Sequence, residues 1–217
     1  AICTAYQLRY WQDGYRLFGH ALDSTTRIYI AATNSASWLR QHEQSDDAMQ
    51  YYIKAVQIAP ATADTRNNLG SALLERGDLA GARKQLAKAV SLNPNYADAH
   101  NNYANVLSAQ GDNADAIAQY RQAIHLDPSM TEAYFNLGVT LATIKQTHDA
   151  IGNFEHAITL RPTYLQARYA LALALAQAGE LSSAEMQMKM VLNAKPDWAQ
   201  AMGRFAWMLA TSPDARD

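Results

Sequence analysis

Cysteine is nearly missing. The one thiol, Cys3, can neither close a disulfide within the chain nor build a cysteine-ligated zinc site. Glycine (10) and proline (6) are scarce in 217 residues, and aromatic residues make up only 9%. Apolar residues still reach 49%, which is the composition of a folded helical protein and not of a disordered chain. Neither sign of charge dominates. Eighteen Lys and Arg against 20 Asp and Glu leave a net charge of −2, without the basic stripe that a nucleic-acid partner requires. No apolar run reaches about 18 residues, so no membrane span is expected in this chain.

Reactive constellations are missing as well. The six histidines, His20, His42, His100, His125, His148 and His156, form no pair with metal-ligand spacing. No glycine-rich phosphate loop and no G-x-S-x-G turn occurs. No catalytic residues, metal or cofactor are therefore expected. No methionine precedes Ala1 and the closing TSPDARD stops abruptly, so the sequence reads as a piece of something longer.

What is present is a period. Pro60, Pro94, Pro128, Pro162 and Pro196 each stand 34 residues after the last. Twelve residues before each proline sits an alanine: Ala48, Ala82, Ala116, Ala150 and Ala184. Eight before it sits a bulky residue: Tyr52, Leu86, Tyr120, Phe154 and Met188. Five before it come Ala55, Ala89, Ala123, Ala157 and Val191. The register also runs back to Gly14, Phe18 and Ala21.

The small–bulky–small spacing of i, i+4 and i+7 marks one face of an α-helix, and proline ends that helix. The first half of each unit has its own stripe: Leu69-Gly70 with Leu73, Tyr103-Ala104 with Leu107, Leu137-Gly138 with Leu141, Leu171-Ala172 with Leu175, and Phe205-Ala206 with Leu209. Gly77-Asp78, Gly111-Asp112 and Gly179-Glu180 break the two halves. Each unit thus reads as helix, tight turn, helix, proline. Two turns lack this glycine, one between Gln41 and Asp47 and one with Lys145, and both are expected to be less regular. Asp46 and Asp47 are expected to cap the helix that follows Ser45.

This pattern resembles the tetratricopeptide repeat, a 34-residue helix hairpin with a small/large/proline signature. The resemblance implies an all-α fold, a right-handed superhelical α-solenoid. It implies a partial repeat or capping helix over 1–28 and full repeats over 29–62, 63–96, 97–130, 131–164 and 165–198. A first helix and tail follow over 199–217. The first full repeat departs from the pattern, with Ser35-Ala36 for Leu-Gly and Trp38 for a small residue. Stacked hairpins share one continuous core, so the ends, near Trp11 and near Phe205, Trp207 and Met208, are expected to leave apolar surface uncovered.

In this family the first helix of each repeat lines an inner groove. At the sixth position of four successive units stands an asparagine: Asn34, Asn68, Asn102 and Asn136; Ala170 and Arg204 follow. An amide carries two donors and an acceptor and can bond a peptide backbone whatever its side chains. Two roles are open to this column, recognition of an extended peptide or simple solvation and ties between helices. The runs TRNNLG and AHNNYA resemble the helical-repeat arm of O-linked N-acetylglucosamine transferases. Flanking positions run from polar, with Asp64, Asn67, Ser71, Asp98, Asn101 and Asn105, to apolar, with Phe135, Val139, Tyr169, Leu173 and Trp207. Phe135 and Tyr169 are expected either to anchor a ligand or to pack on a neighbouring helix. Lysine is missing from these positions, which argues against capture of a carboxylate tail by paired cations.

Residues Tyr10, Trp11, Leu17, Phe18, Ala21 and Leu22 resemble the segment after the last span of membrane proteins related to mannosyltransferases. That resemblance implies an extracytoplasmic repeat domain recruiting acceptor protein to a glycosyltransferase. The expected function is a non-catalytic interaction scaffold that binds an extended peptide. The alternatives are that accessory role and self-assembly through exposed terminal helices, giving a homo-oligomer.

Overall fold

The computed structural model describes residues 28–42 and 44–211, with side chains placed at 29–42 and 44–207. Cys3, Trp11, Phe18, His20 and the rest of 1–27 lie outside the described residues, as does the side chain of Met208. The expectations that rest on them go no further here.

Every described element is a helix. They are α1 (Ile28–Gln41), α2 (Ser45–Ile58), α3 (Ala63–Glu75), α4 (Leu79–Leu92), α5 (Ala97–Gln110), α6 (Asn113–Leu126), α7 (Thr131–Thr143), α8 (Thr147–Leu160), α9 (Leu165–Gln177), α10 (Leu181–Ala194) and α11 (Ala199–Thr211). None is long and apolar enough to cross a membrane. The chain divides into two compact units, residues 1–106 and 107–217. In the first, α1 packs on α2, α2 on α3 and α3 on α4, and α1 also reaches α3. In the second, α6 packs on α7, and each following helix packs on the next as far as α11, while α7 also reaches α9. Each unit is therefore a stack of antiparallel hairpins, the all-α solenoid arrangement the sequence led us to expect.

The periodic small and bulky residues make the core. Ala48, Tyr52 and Ala55 are buried, and so are their equivalents in α4, α6, α8 and α10, through Ala184, Met188 and Val191. The bulky residue sinks over the partner helix where that helix lacks a side chain. A Cβ added at Gly70 would stand 2.5 Å from Leu86 Cγ, and one at Gly138 would stand 2.6 Å from Phe154 Cε1. In the first hairpin, Ser35 and Ala36 are fully buried and Trp38 packs against the cluster of Leu39, Met49 and Tyr52 while stacking on His42 at 3.8 Å.

Proline ends each second helix by acting on its neighbour. Ala59, Asn93, Asp127, Arg161 and Lys195, each just before a proline, leave the helical region with φ between −127° and −141°. A proline-containing turn follows. Its closing N–H belongs to Thr62, Tyr96, Met130, Tyr164 or Trp198 and donates to the carbonyl three residues back. The proline carbonyl is then taken by a side chain of the next helix: Arg66 Nε donates to Pro60 O at 2.7 Å, His100 Nε2 meets Pro94 O at 2.9 Å, and Arg168 Nη2 donates to Pro162 O at 3.2 Å. Arg66 and Arg168 each also donate to a glutamine of their own hairpin, Gln85 and Gln187, at 2.8 Å.

The turns between paired helices are more regular than expected. Lys145 takes the left-handed conformation, φ 63°, that Gly77, Gly111 and Gly179 take elsewhere. Gln146 N donates to Leu141 O at 2.9 Å, just as Asp78 N donates to Leu73 O. Gln44 N makes the same bond to Leu39 O in the first hairpin. The packing of the two helices thus imposes the turn even without glycine. Asp46 and Asp47 lie in the first turn of α2, but its N-cap is Gln44 with no side-chain capping bond, and Asp46 pairs with Arg76.

Two substitutions test this reading. Gly138→Ala is expected to lower stability by about 1–3 kcal/mol, because the added methyl meets the Phe154 ring and displaces it from its packed position. Lys145→Gly is expected to raise it by about 0.5–1 kcal/mol, since release of the left-handed strain exceeds the extra chain entropy. Urea unfolding midpoints followed by circular dichroism measure both.

Candidate functional site

The four column asparagines are carried on α1, α3, α5 and α7, and Asn68 and Asn102 stand two residues beyond the side chains that hold Pro60 O and Pro94 O. Two residues turn an α-helix by about 200°, so Arg66 and Asn68 point to opposite sides of α3. Asn34 is exposed, whereas Asn68, Asn102 and Asn136 are half-buried. In the first unit the amides also bond each other. Asn102 Nδ2 donates to Asn67 Oδ1 at 2.9 Å, and Asn101 Nδ2 donates to Asn102 Oδ1 at 3.4 Å. Asn102 therefore bridges α3 and α5, keeping one N–H and one lone pair beyond those bonds. Asn101 Oδ1 is buried without a partner. Asn105 is half-buried on α5.

The fifth position has a separate structural job. Its side chain faces the last residue of the proline turn in the same repeat. Asn67 Nδ2 lies 3.5 Å from Tyr96 Oη, the Phe135 ring stands 5.1 Å from Tyr164, and the Tyr169 ring stands 5.0 Å from Trp198. Phe135 also meets Phe154 at 6.0 Å. Tyr169 is buried and its hydroxyl has no partner. Of the two roles open to Phe135 and Tyr169, the geometry displays packing. The sequence carried a signal for this seam: aromatic or amide pairs recur 29 residues apart, as 67/96, 135/164 and 169/198.

Electrostatics follow the same seam. Burial, then Asp64 and Asp98, push the Tyr96 hydroxyl up to about 12. Burial also raises Tyr164, with Glu132 adding to it. The Arg161 guanidinium, hydrogen-bonded to Glu132 and lying 4.9 Å over the Tyr164 ring, holds the Glu132 carboxyl below the usual carboxylate range. Buried Tyr120 is raised too, against a hydrogen bond with Thr140.

The second unit has open space on its first helices. A cavity of about 360 Å³ lies between α7 and α9, walled by Val139, Thr143, Ala170, Leu173 and Gln177 over Phe154. A second, of about 300 Å³, lies between α9 and α11, walled by Leu173, Ala176, Gln177, Arg204 and Trp207. Leu173 and Gln177 belong to both, so the two form one trough. Its walls occupy the sixth, ninth, twelfth and thirteenth positions of the repeats, and the sixth carries asparagine on α7. Val139 is 42% exposed and Trp207 55% exposed, large apolar surfaces at its two ends. Sequence reasoning named Leu173, Arg204 and Trp207 and missed Thr143 and Gln177. The signal was their shared thirteenth position, one turn beyond the ninth. No cluster able to hold a metal occurs among the described residues.

The family described as TPR repeat matches residues 70–111 and 104–144, and that described as tetratricopeptide repeat matches 145–204. No curated protein sequence matches the chain. Among solved structures, MamA is 24% identical, with 76% of this chain and 96% of that one covered and a TM-score of 0.67. YrrB, described as a TPR protein with an unusual peptide-binding site, is 20% identical, with 86% and 96% covered and a TM-score of 0.68. The APC/C hetero-tetramer Cut9–Hcn1 gives 18% identity, 90% of this chain and 39% of that one, and a TM-score of 0.81. At these identities the likeness is one of fold.

Two measurements separate seam from surface. Tyr169→Phe is expected to leave stability unchanged or slightly raised, since it removes an unpartnered buried hydroxyl, whereas Tyr169→Ala is expected to cost about 3 kcal/mol. For Tyr96, a folded pKa near 12 against an unfolded value near 10 means that stability is intact below pH 10 and falls as pH rises from 10 towards 12. Alkaline unfolding is expected over that window, and Tyr96→Phe to weaken the pH dependence, leaving the part due to Tyr120 and Tyr164.

Proposed function

Because the chain belongs to the tetratricopeptide-repeat family, we propose that it is a non-catalytic scaffold that holds an extended segment of a partner protein against the first helices of its repeats. The observation that carries this reading is the trough on α7, α9 and α11. It includes the sixth repeat position, which carries asparagine in the earlier repeats, and its walls are largely apolar. In the first unit, Asn34 and Asn68 offer the backbone of a ligand both donor and acceptor. The likeness to a repeat protein with a peptide-binding site supports the same reading by analogy of fold.

A second reading has its own observation. Met186 (61% exposed), Met190 and Met202 leave α10 and α11 with large apolar side chains in solvent. Such a surface suits self-association of terminal helices. Light scattering across a concentration series decides it: growth in mass supports association, and a constant monomer mass removes it.

For the scaffold reading, peptides are selected from a displayed random library on the folded chain and their affinities measured by titration. Changing Asn34, Asn68 and Asn136 together to alanine is expected to weaken the selected peptides at least about tenfold, at about 0.5–1.5 kcal/mol per lost hydrogen bond, with helicity unchanged. Asn102 is left in place because its amide also joins α3 to α5. Failure to select any peptide, or affinity indifferent to the three changes, would contradict the reading.

A further inference from the structure

We infer that the trough on α7, α9 and α11 takes a partner segment in polyproline-II-like conformation, with two apolar side chains three residues apart and a carboxylate beside the second. This rests on the scaffold reading above and specifies the ligand of the same site.

The spacing comes from the repeat. Val139, Leu173 and Trp207 hold the same register position on three successive first helices, and the two cavities lie in the gaps between them. Successive packed helices stand about 8–10 Å apart, so the two sockets are separated by about that distance. Side chains on one face of a β-strand recur at about 6.7 Å and then about 13 Å, and neither distance matches the spacing of the two sockets. A polyproline-II helix has three residues per turn and a rise of about 3.1 Å, which brings residues i and i+3 to one face about 9 Å apart. That conformation has no internal hydrogen bonds, so its backbone remains available to side-chain amides such as Gln177 at the junction of the sockets.

The charge comes from Arg204. It replaces, one turn before Trp207, the amide that stands at this position in four earlier repeats. It is exposed, and no carboxylate among the described residues pairs with it. Glu132, in the first turn of α7, is already paired with Arg161. The other polar residues of the sockets, Thr143 and Gln177, are neutral. A guanidinium at the rim of an apolar socket favours a carboxylate on the entering segment, and disfavours a cation there. The carboxylate can belong to an Asp or Glu side chain or to a chain terminus; both present the same group.

The test uses fluorescein-labelled peptides, amidated at the C-terminus, and anisotropy titration of the folded chain. The reference is Gly-Gly-Leu-Pro-Pro-Leu-Glu-Gly-Gly. One arm replaces Glu by Lys, one shortens the spacing to Leu-Pro-Leu, and one ends the peptide after the second Leu with a free carboxylate. The reference is expected to bind at least about tenfold more tightly than the Lys and short-spacing peptides. Arg204→Glu is expected to invert the preference between the Glu and Lys peptides, with circular dichroism unchanged. Stronger binding of the free-carboxylate arm than of the reference assigns the group to a chain terminus; the reverse assigns it to a side chain. Equal binding of the Glu and Lys peptides, indifference to Arg204→Glu, or equal binding at both spacings overturns the inference. Library-selected peptides that lose affinity on the asparagine changes while the reference fails to bind also overturn it, and leave the scaffold reading standing. If no peptide of any kind binds, both fall.

Discussion

A helix with no side chain at one point lets a bulky residue of its partner descend onto its backbone, and the geometry of two hairpins is set there. Leu86 over Gly70 and Phe154 over Gly138 are contacts in which a single added methyl would collide. Interiors are packed to crystal-like density, so such a contact fixes both separation and rotation of the paired helices. Rotation decides which side chains of the first helix enter the seam and which face the open side. The recognition face is thus a consequence of core packing, and its residues need no interactions of their own to be held in register.

A second device carries that register from one hairpin to the next. Proline drives the preceding residue out of the helical region and closes a turn, and its carbonyl, left outside any helix ladder, is claimed by Arg66, His100 or Arg168 of the following helix. The turn also presents Tyr96, Tyr164 or Trp198 to the fifth position of the helix before it. The sixth, ninth and thirteenth positions then lie beyond this seam. In the second unit, with Ala170 in place of an asparagine and Leu173 and Trp207 at the ninth position, the same scaffold opens into apolar sockets.

The helix hairpins and the core were legible in the sequence because they repeat. Five small–bulky–small triplets in step left no other period, and every one of their residues is buried. The site was legible in part. Leu173, Arg204 and Trp207 stood out by position, but Phe135 and Tyr169 read equally well as ligand anchors or as packing. Their partners sit 29 residues away in the proline turn, a contact that helical periodicity does not encode. The amide column likewise concealed that Asn102 bonds to Asn67, because a hydrogen bond between adjacent columns depends on the rotation of two packed helices. Lys145 misled for a related reason: local preference disfavours its backbone conformation, and tertiary packing overrides that preference.

Four tryptophans give the central claim its most direct test. Among the described ones, Trp38 packs in the first hairpin, Trp198 is held against Tyr169, and Trp207 walls the trough. In a proton–nitrogen correlation spectrum titrated with a bound peptide, the Trp207 indole and the side-chain amide of Gln177 are expected to shift, with the Trp38 and Trp198 indoles unmoved. Shifts confined to the second helices of the hairpins, with Trp207 unchanged, would contradict the assignment of recognition to the first-helix face.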